Sequence, residues 1–114
     1  MSTREQIDGL KRVSAEVMSA EEAGITYYLL PRLKMPAGCQ PSEMDVLLCP
    51  TARDGYHSRL FFAERVSSTI ALNWREPVHI LERTWQVFSW QVPPQNQTLL
   101  QILLEHLGAL TREQ

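Results

Sequence analysis

Residues Asp45 to Phe62 read DVLLCPTARDGYHSRLFF, and their order decides the fold class. A short apolar run over Met44 to Leu48 stops at Cys49-Pro50. A polar turn follows from Pro50 to Gly55, in which Asp54-Gly55 is a common turn dipeptide. A second run, Tyr56 to Val66, contains Leu60, Phe61 and Phe62. Apolar runs of this length between turn residues read as two buried strands.

Working outward, Ser2 to Glu22 reads as an amphipathic helix. Ile7, Leu10, Val13, Val17 and Met18 recur at helical spacing, with Lys11, Arg12 and Glu16 between them. Ser2 with Glu5, or Thr3 with Gln6, forms a candidate capping box, and Gly24 is a plausible stop. Ile25 to Met35 reads as a strand that Pro31 demotes to an edge or a bulge. Pro36 to Ser42 is a loop on composition. Ile70 to Trp74 suggests a short extended piece, and Val78 to Leu81 and Trp85 to Val92 two further strands. Glu82-Arg83-Thr84 is the tight connection between those two. Along the second, Trp85, Val87 and Ser89 share one face; Gln86, Phe88 and Trp90 share the other. Pro93-Pro94 breaks the sheet run. Thr98 caps a final helix striped by Leu99, Leu100, Leu103, Leu107 and Leu110.

The predicted order is helix, about four to five antiparallel strands, helix: an α+β fold in a single domain over residues 1–114. The 114 residues are 44% hydrophobic, with three each of Trp, Tyr and Phe, enough for one core. A net charge of −2 gives no field for nucleic acid. No apolar run is long enough to span a membrane and the polar N-terminus is no signal peptide, so the expected compartment is the cytoplasm. Cys39 and Cys49 read as reduced thiols in that setting. No CxxC or HxxxH spacing suggests a metal, and His57, His79 and His106 are scattered.

The strand–Pro–turn–Tyr–strand passage resembles the core of the ubiquitin-conjugating enzyme fold, where a strand ending in Phe-Pro is followed by a turn, Tyr-Pro and a strand. Cys49-Pro50 stands for Phe-Pro and Tyr56-His57 for Tyr-Pro. Leu10-Lys11-Arg12 in a first helix, and Trp90 before a Leu-rich helix, agree with that fold. YYLLP at 27–31, LLCPTARDGY at 47–56 with SRLFF at 58–62, LNW at 72–74, and RTW at 83–85 with SW at 89–90 are similar to the prokaryotic ubiquitin-conjugating-like family E. The similarity runs over nearly the whole chain. It implies a ubiquitin-like protein, a ThiF-type activating enzyme and a JAB-type peptidase as partners from one bacterial operon, and no cofactor.

The family's acceptor is a cysteine beyond the third strand, after a His-Pro-Asn motif. Counted along this chain, that motif falls near Leu72-Asn73-Trp74, and the cysteine falls within His79 to Thr84, where there is none. Two readings follow. In one, a hydroxyl carries the modifier as an oxyester. Thr84 or Ser89 is the candidate nucleophile and His79 the base that a hydroxyl needs. Asn73 would donate to the oxyanion and Arg83 would steady developing charge. Gln86, where the family often carries histidine, throws the base role onto His79. In the other reading the domain is a non-catalytic module that binds modifier and activating enzyme.

Each candidate has an ordinary alternative. Thr84 and Ser89 are more often turn or strand hydroxyls, and Arg83 a solvated charge. Cys49 is a buried core thiol or else a relocated nucleophile. Cys39, in its loop, is expected to be exposed but unactivated. Tyr56, in the turn Arg53 to Tyr56 that reads as a docking or active-site-supporting loop, is a candidate for partner contact, or else a core anchor with its hydroxyl tied to backbone. Arg53 and Arg59 are harder to explain as turn formers and are expected to meet acidic partner residues. Of Trp74, Trp85 and Trp90, mostly core, Trp74 is the candidate for partner contact. His106 is expected at the surface or at the core boundary, with no chemistry.

Overall fold

Antiparallel pairing begins earlier than the helical periodicity suggests. The computed structural model describes residues 3–53, 55–90 and 97–111. Helix α1 covers only Thr3–Leu10. The chain then turns, with Val13 and Ser14 both donating to the Leu10 carbonyl. Ser14 is buried and its Oγ donates to the Pro31 carbonyl at 3.1 Å, which fixes the exit direction. Met18–Glu22 is strand β1, not helix, paired with β2, Ile25–Lys34. The two are joined by Ala23 and Gly24, both at positive φ (52° and 79°). A two-residue loop with that geometry matches the twist of the flanking strands, so Gly24 closes a hairpin and does not stop a helix. The Ser2 and Thr3 capping alternatives fall where the side chains lie outside the described residues.

Pro31 sits at a bulge. From Leu30 to Leu33 the register advances three residues on β2, while on β3, Glu43–Cys49, it runs two, from Val46 to Met44. The extra residue places Arg32 at φ 51°, its N–H donating to Asp45 Oδ1 at 2.9 Å. Strand β4 is Arg59–Phe62, shorter than the expected run. The sheet order is β1-β2-β3-β4, all antiparallel. Strands β5, Val78–Ile80, and β6, Arg83–Trp85, form a separate ribbon. Its turn is Leu81-Glu82, both at positive φ, so Arg83 and Thr84 enter the strand instead of the connection. Beyond β6, the described residues continue the extended chain by single pairings, Gln86 with Phe62 and Phe88 with Trp74. The expected strand end at Val92, and Pro93-Pro94, lie outside the described residues.

Strand β1 is exposed along its length, whereas β3 and β4 are largely buried on both faces, because β3 alternates between two cores. Val46 and Leu48 face one core with Leu30, Phe62, Phe88 and the leucines of helix α2, Leu99–Gly108. Leu47 and Cys49 face the other, with Tyr27, Phe61, Ile80, Trp85 and Val87. Trp85 and Val87 therefore separate from Phe88 and Trp90 as their alternation predicts. Thr98 caps α2 in a complete capping box with Gln101. Gln6 of α1 accepts from the Leu99 N–H at 2.8 Å, which joins the two helices at that cap. The chain is thus a small α+β protein with a four-stranded antiparallel sheet and a C-terminal helix.

Candidate functional site

The β5–β6 ribbon decides which candidates can meet. Val78 pairs with Trp85, His79 with Thr84, and Ile80 with Arg83. Ile80 and Trp85 turn into the second core, and the Trp85 indole N–H donates to the Ile80 carbonyl at 3.1 Å. Side chains alternate, so His79 and Thr84 both face the opposite way, and both are exposed. Directly opposed residues hold their Cβ atoms roughly 5 Å apart, within reach of an imidazole nitrogen for a threonine hydroxyl. Besides the core packing of Ile80 and Trp85, two hydrogen bonds tie the ribbon to the sheet. Arg83 donates to Asp45 Oδ2 at 3.0 Å, and the Leu81 N–H to Glu22 Oε1 at 3.0 Å. Asp45 thus takes a hydrogen bond on each oxygen. The Arg32 N–H chiefly, then the Arg83 guanidinium, hold its carboxyl below the usual carboxylate value against the opposing effect of burial.

Arg83 is consequently not beside Thr84. It points to the other face of β6, with its guanidinium 4.5 Å from the Trp85 ring centre, and serves as a clasp rather than a charge stabiliser at the hydroxyl. Asn73 is also elsewhere. Its carbonyl accepts from the Ser89 N–H at 2.9 Å, five residues beyond Thr84, or up to about 17 Å of extended chain. Ser89 is half-buried, and Tyr56 Oη donates to its Oγ at 3.1 Å. The Tyr56 hydroxyl is therefore tied to a side chain, not to backbone. Candidates fall into two sets: His79 with Thr84, and Asn73 with Ser89 and Tyr56.

The polar turn is compact. Arg53 and Tyr56 exchange both main-chain hydrogen bonds at 2.9 Å around Gly55, at φ 85°. Asp54 lies outside the described residues. Arg53 Nε donates to Tyr27 Oη at 3.0 Å. Arg59 is buried, its guanidinium 4.1 Å from the Tyr56 ring centre, so it packs inward and is not offered to an acidic partner. Trp74 is half-buried in edge-on contact with Phe62 and Phe88 at 5.7 and 5.2 Å.

Both cysteines are buried. Cys49 is wholly inside the second core, where its thiol donates to the Thr51 carbonyl at 3.3 Å. That placement matches a core thiol and leaves a modifier tail no approach. Cys39 is buried too, against its expected exposure, because its loop folds onto the sheet side where Gln40 pairs with Ser67. Burial pushes its thiol pKa up.

Sequence reasoning missed one pair. His106 is not at the surface: it is 3% exposed on the buried side of α2, with Nε2 2.8 Å from the Oγ of Ser58, itself buried. Desolvation, then the Arg59 charge, lower its pKa to about 4. At neutral pH the imidazole is uncharged. The signal was available, since His106 lies three residues after Leu103 and four before Leu110 on the buried stripe. Among the described residues no cluster of three His, Cys, Asp or Glu side chains could hold a metal ion, and no helix is long and apolar enough to cross a membrane. No family model, curated protein or solved structure matches the chain.

Proposed function

We propose that the chain is a ubiquitin-conjugating-like domain that accepts a ubiquitin-like modifier on the Thr84 hydroxyl and passes it to an amine. The observation that carries this is the exposed, directly opposed His79–Thr84 pair. It falls in the span where the sequence resemblance expects the acceptor cysteine. The α+β arrangement, with its antiparallel sheet and C-terminal helix, is compatible with that family's fold. Ser89 is the weaker candidate, since it is half-buried and its hydroxyl already accepts from Tyr56.

The donor is the modifier's C-terminal thioester on a ThiF-type activating enzyme. Thr84 Oγ1 attacks its carbonyl carbon. The C–O bond forms, the C–S bond breaks, the hydroxyl proton passes to His79, and the sulfur leaves as thiolate. An acceptor amine then attacks the ester. The C–N bond forms, the C–O bond breaks, the Thr84 oxygen recovers its proton from His79, and the amine nitrogen gives up its surplus proton to water. A JAB-type peptidase is the third partner of the proposed system.

Incubation with ATP, modifier and activating enzyme tests this. The expected adduct resists thiols, is base-labile, is absent in Thr84→Ala and persists in Ser89→Ala. His79→Gln should slow its formation by roughly 10²–10⁴-fold, the usual range for a general base. A thiol-sensitive adduct lost in Cys49→Ala would overturn the hydroxyl route. A second reading has its own support: Asn73 and Arg83 stand away from Thr84. That arrangement suits a non-catalytic module that scaffolds modifier and activating enzyme, and its signature is binding with no adduct.

A further inference from the structure

Val13, Met18 and Leu104 are the exposed large apolar side chains among the described residues. Two of them converge. Val13, 40% exposed, and Leu104, 49% exposed, line one open groove of about 510 Å³. Its walls come from three elements: the turn after α1, the end of β2 with Leu33 and the following Met35, and α2 with Leu104 and Leu107. The groove exists because α1 stops at Leu10 and Ser14 draws the chain away toward β1. Converging apolar side chains on an open surface mark an interaction site more often than scattered ones do.

The rim has one sign of charge. Arg12 and Lys34 line the groove and, among the described residues, no carboxylate does. Glu43, the cross-strand neighbour of Lys34, makes no ion pair with it, and Arg12 has no ion-pair partner among the described residues. We propose that this groove binds an acidic amphipathic helix of a partner protein. Its apolar residues, three and four apart, enter the groove, and its flanking carboxylates meet Arg12 and Lys34. A helix suits an open trough because its polar face stays in water. A hydrocarbon chain would remain wetted along the open side. The inference is independent of any chemistry at Thr84.

The probes are a short synthetic helix with leucines three and four residues apart flanked by glutamates, its lysine counterpart, and dodecanoate. Binding to the full chain is followed by fluorescence anisotropy and amide shift mapping at low salt. The acidic helix should shift the amides of Val13, Met35 and Leu104 and bind at least about tenfold more tightly than the lysine helix. Arg12→Glu with Lys34→Glu should reverse that order, and Leu104→Ser should weaken both. All three residues are exposed, so unchanged melting temperatures should confirm folding. Equal binding of both helices, binding that survives the charge reversal, shifts confined to another surface, no binding near millimolar, or binding of dodecanoate alone would each overturn the proposal.

Discussion

Lowering the pH from 7.5 to 4.5 should remove about 2–3 kcal/mol of folding stability through His106 alone. In the folded chain its pKa is about 4, against an ordinary value of 6.5, because the ring is desolvated and shares its surroundings with the Arg59 charge. A depressed pKa means that the unfolded chain binds the proton first. The stability is therefore complete above pH 6.5 and drains away as the pH falls through the folded value near 4. At pH 4.5 the solution is two units below the unfolded value of 6.5 and still above the folded value, and each unit is worth about 1.4 kcal/mol. Urea unfolding at intervals of pH measures this directly. Asp45 does not blur the window: its depressed pKa moves its own contribution to below the ordinary carboxylate value of 3.8. His106→Gln keeps a group able to meet Ser58 but cannot titrate, so its stability should be nearly flat across the window. A variant that loses as much as the parent chain, or a parent chain whose stability does not fall above pH 5, would refute the reasoning.

Other consequences are local. Gly24→Ala should cost about 1 kcal/mol, the penalty for a side chain at left-handed φ. The φ is 79° and an added Cβ would meet nothing within 4 Å, so thermal unfolding would report conformational strain alone. Leu103→Ala should cost about 2–5 kcal/mol, since Leu103 is fully buried between α2 and the sheet and its loss leaves a cavity. Asp45→Asn keeps the shape but removes the charge that holds Arg83; it should raise amide exchange in residues 78–85 with a stability loss of at most about 1 kcal/mol, the pair being partly exposed.

The elements that sequence made legible are those with strong local chemistry. Thr98 before the leucine stripe announces α2, and Pro31 announces the bulge in β2. The second half of α1 failed for a physical reason. Met-Ser-Ala-Glu-Glu has no β-branched residue, and its strand exists only because β2 supplies the partner and Ala23-Gly24 the turn. The start of β6 lies two residues earlier than expected, which moved Arg83 and Thr84 from a connection into a strand, and the strand ends at Trp85 instead of running on through Phe88. That shift made His79 and Thr84 neighbours and sent Arg83 to the opposite face, results that depend on register and not on residue type. His106 illustrates the converse case: its polarity suggested a surface place, although it lies on the leucine stripe that is buried. The Ser58 hydroxyl, 48 residues away in sequence, resolves the conflict by giving the ring a partner inside.

Replacing the proposed acceptor with a different nucleophile tests the central claim most directly. In Thr84→Cys, incubated with ATP, modifier and activating enzyme, the adduct should change character, from a base-labile, thiol-resistant ester to a thioester cleaved by dithiothreitol, with peptide mapping at residue 84. An adduct of unchanged thiol resistance, mapping elsewhere, would contradict the account.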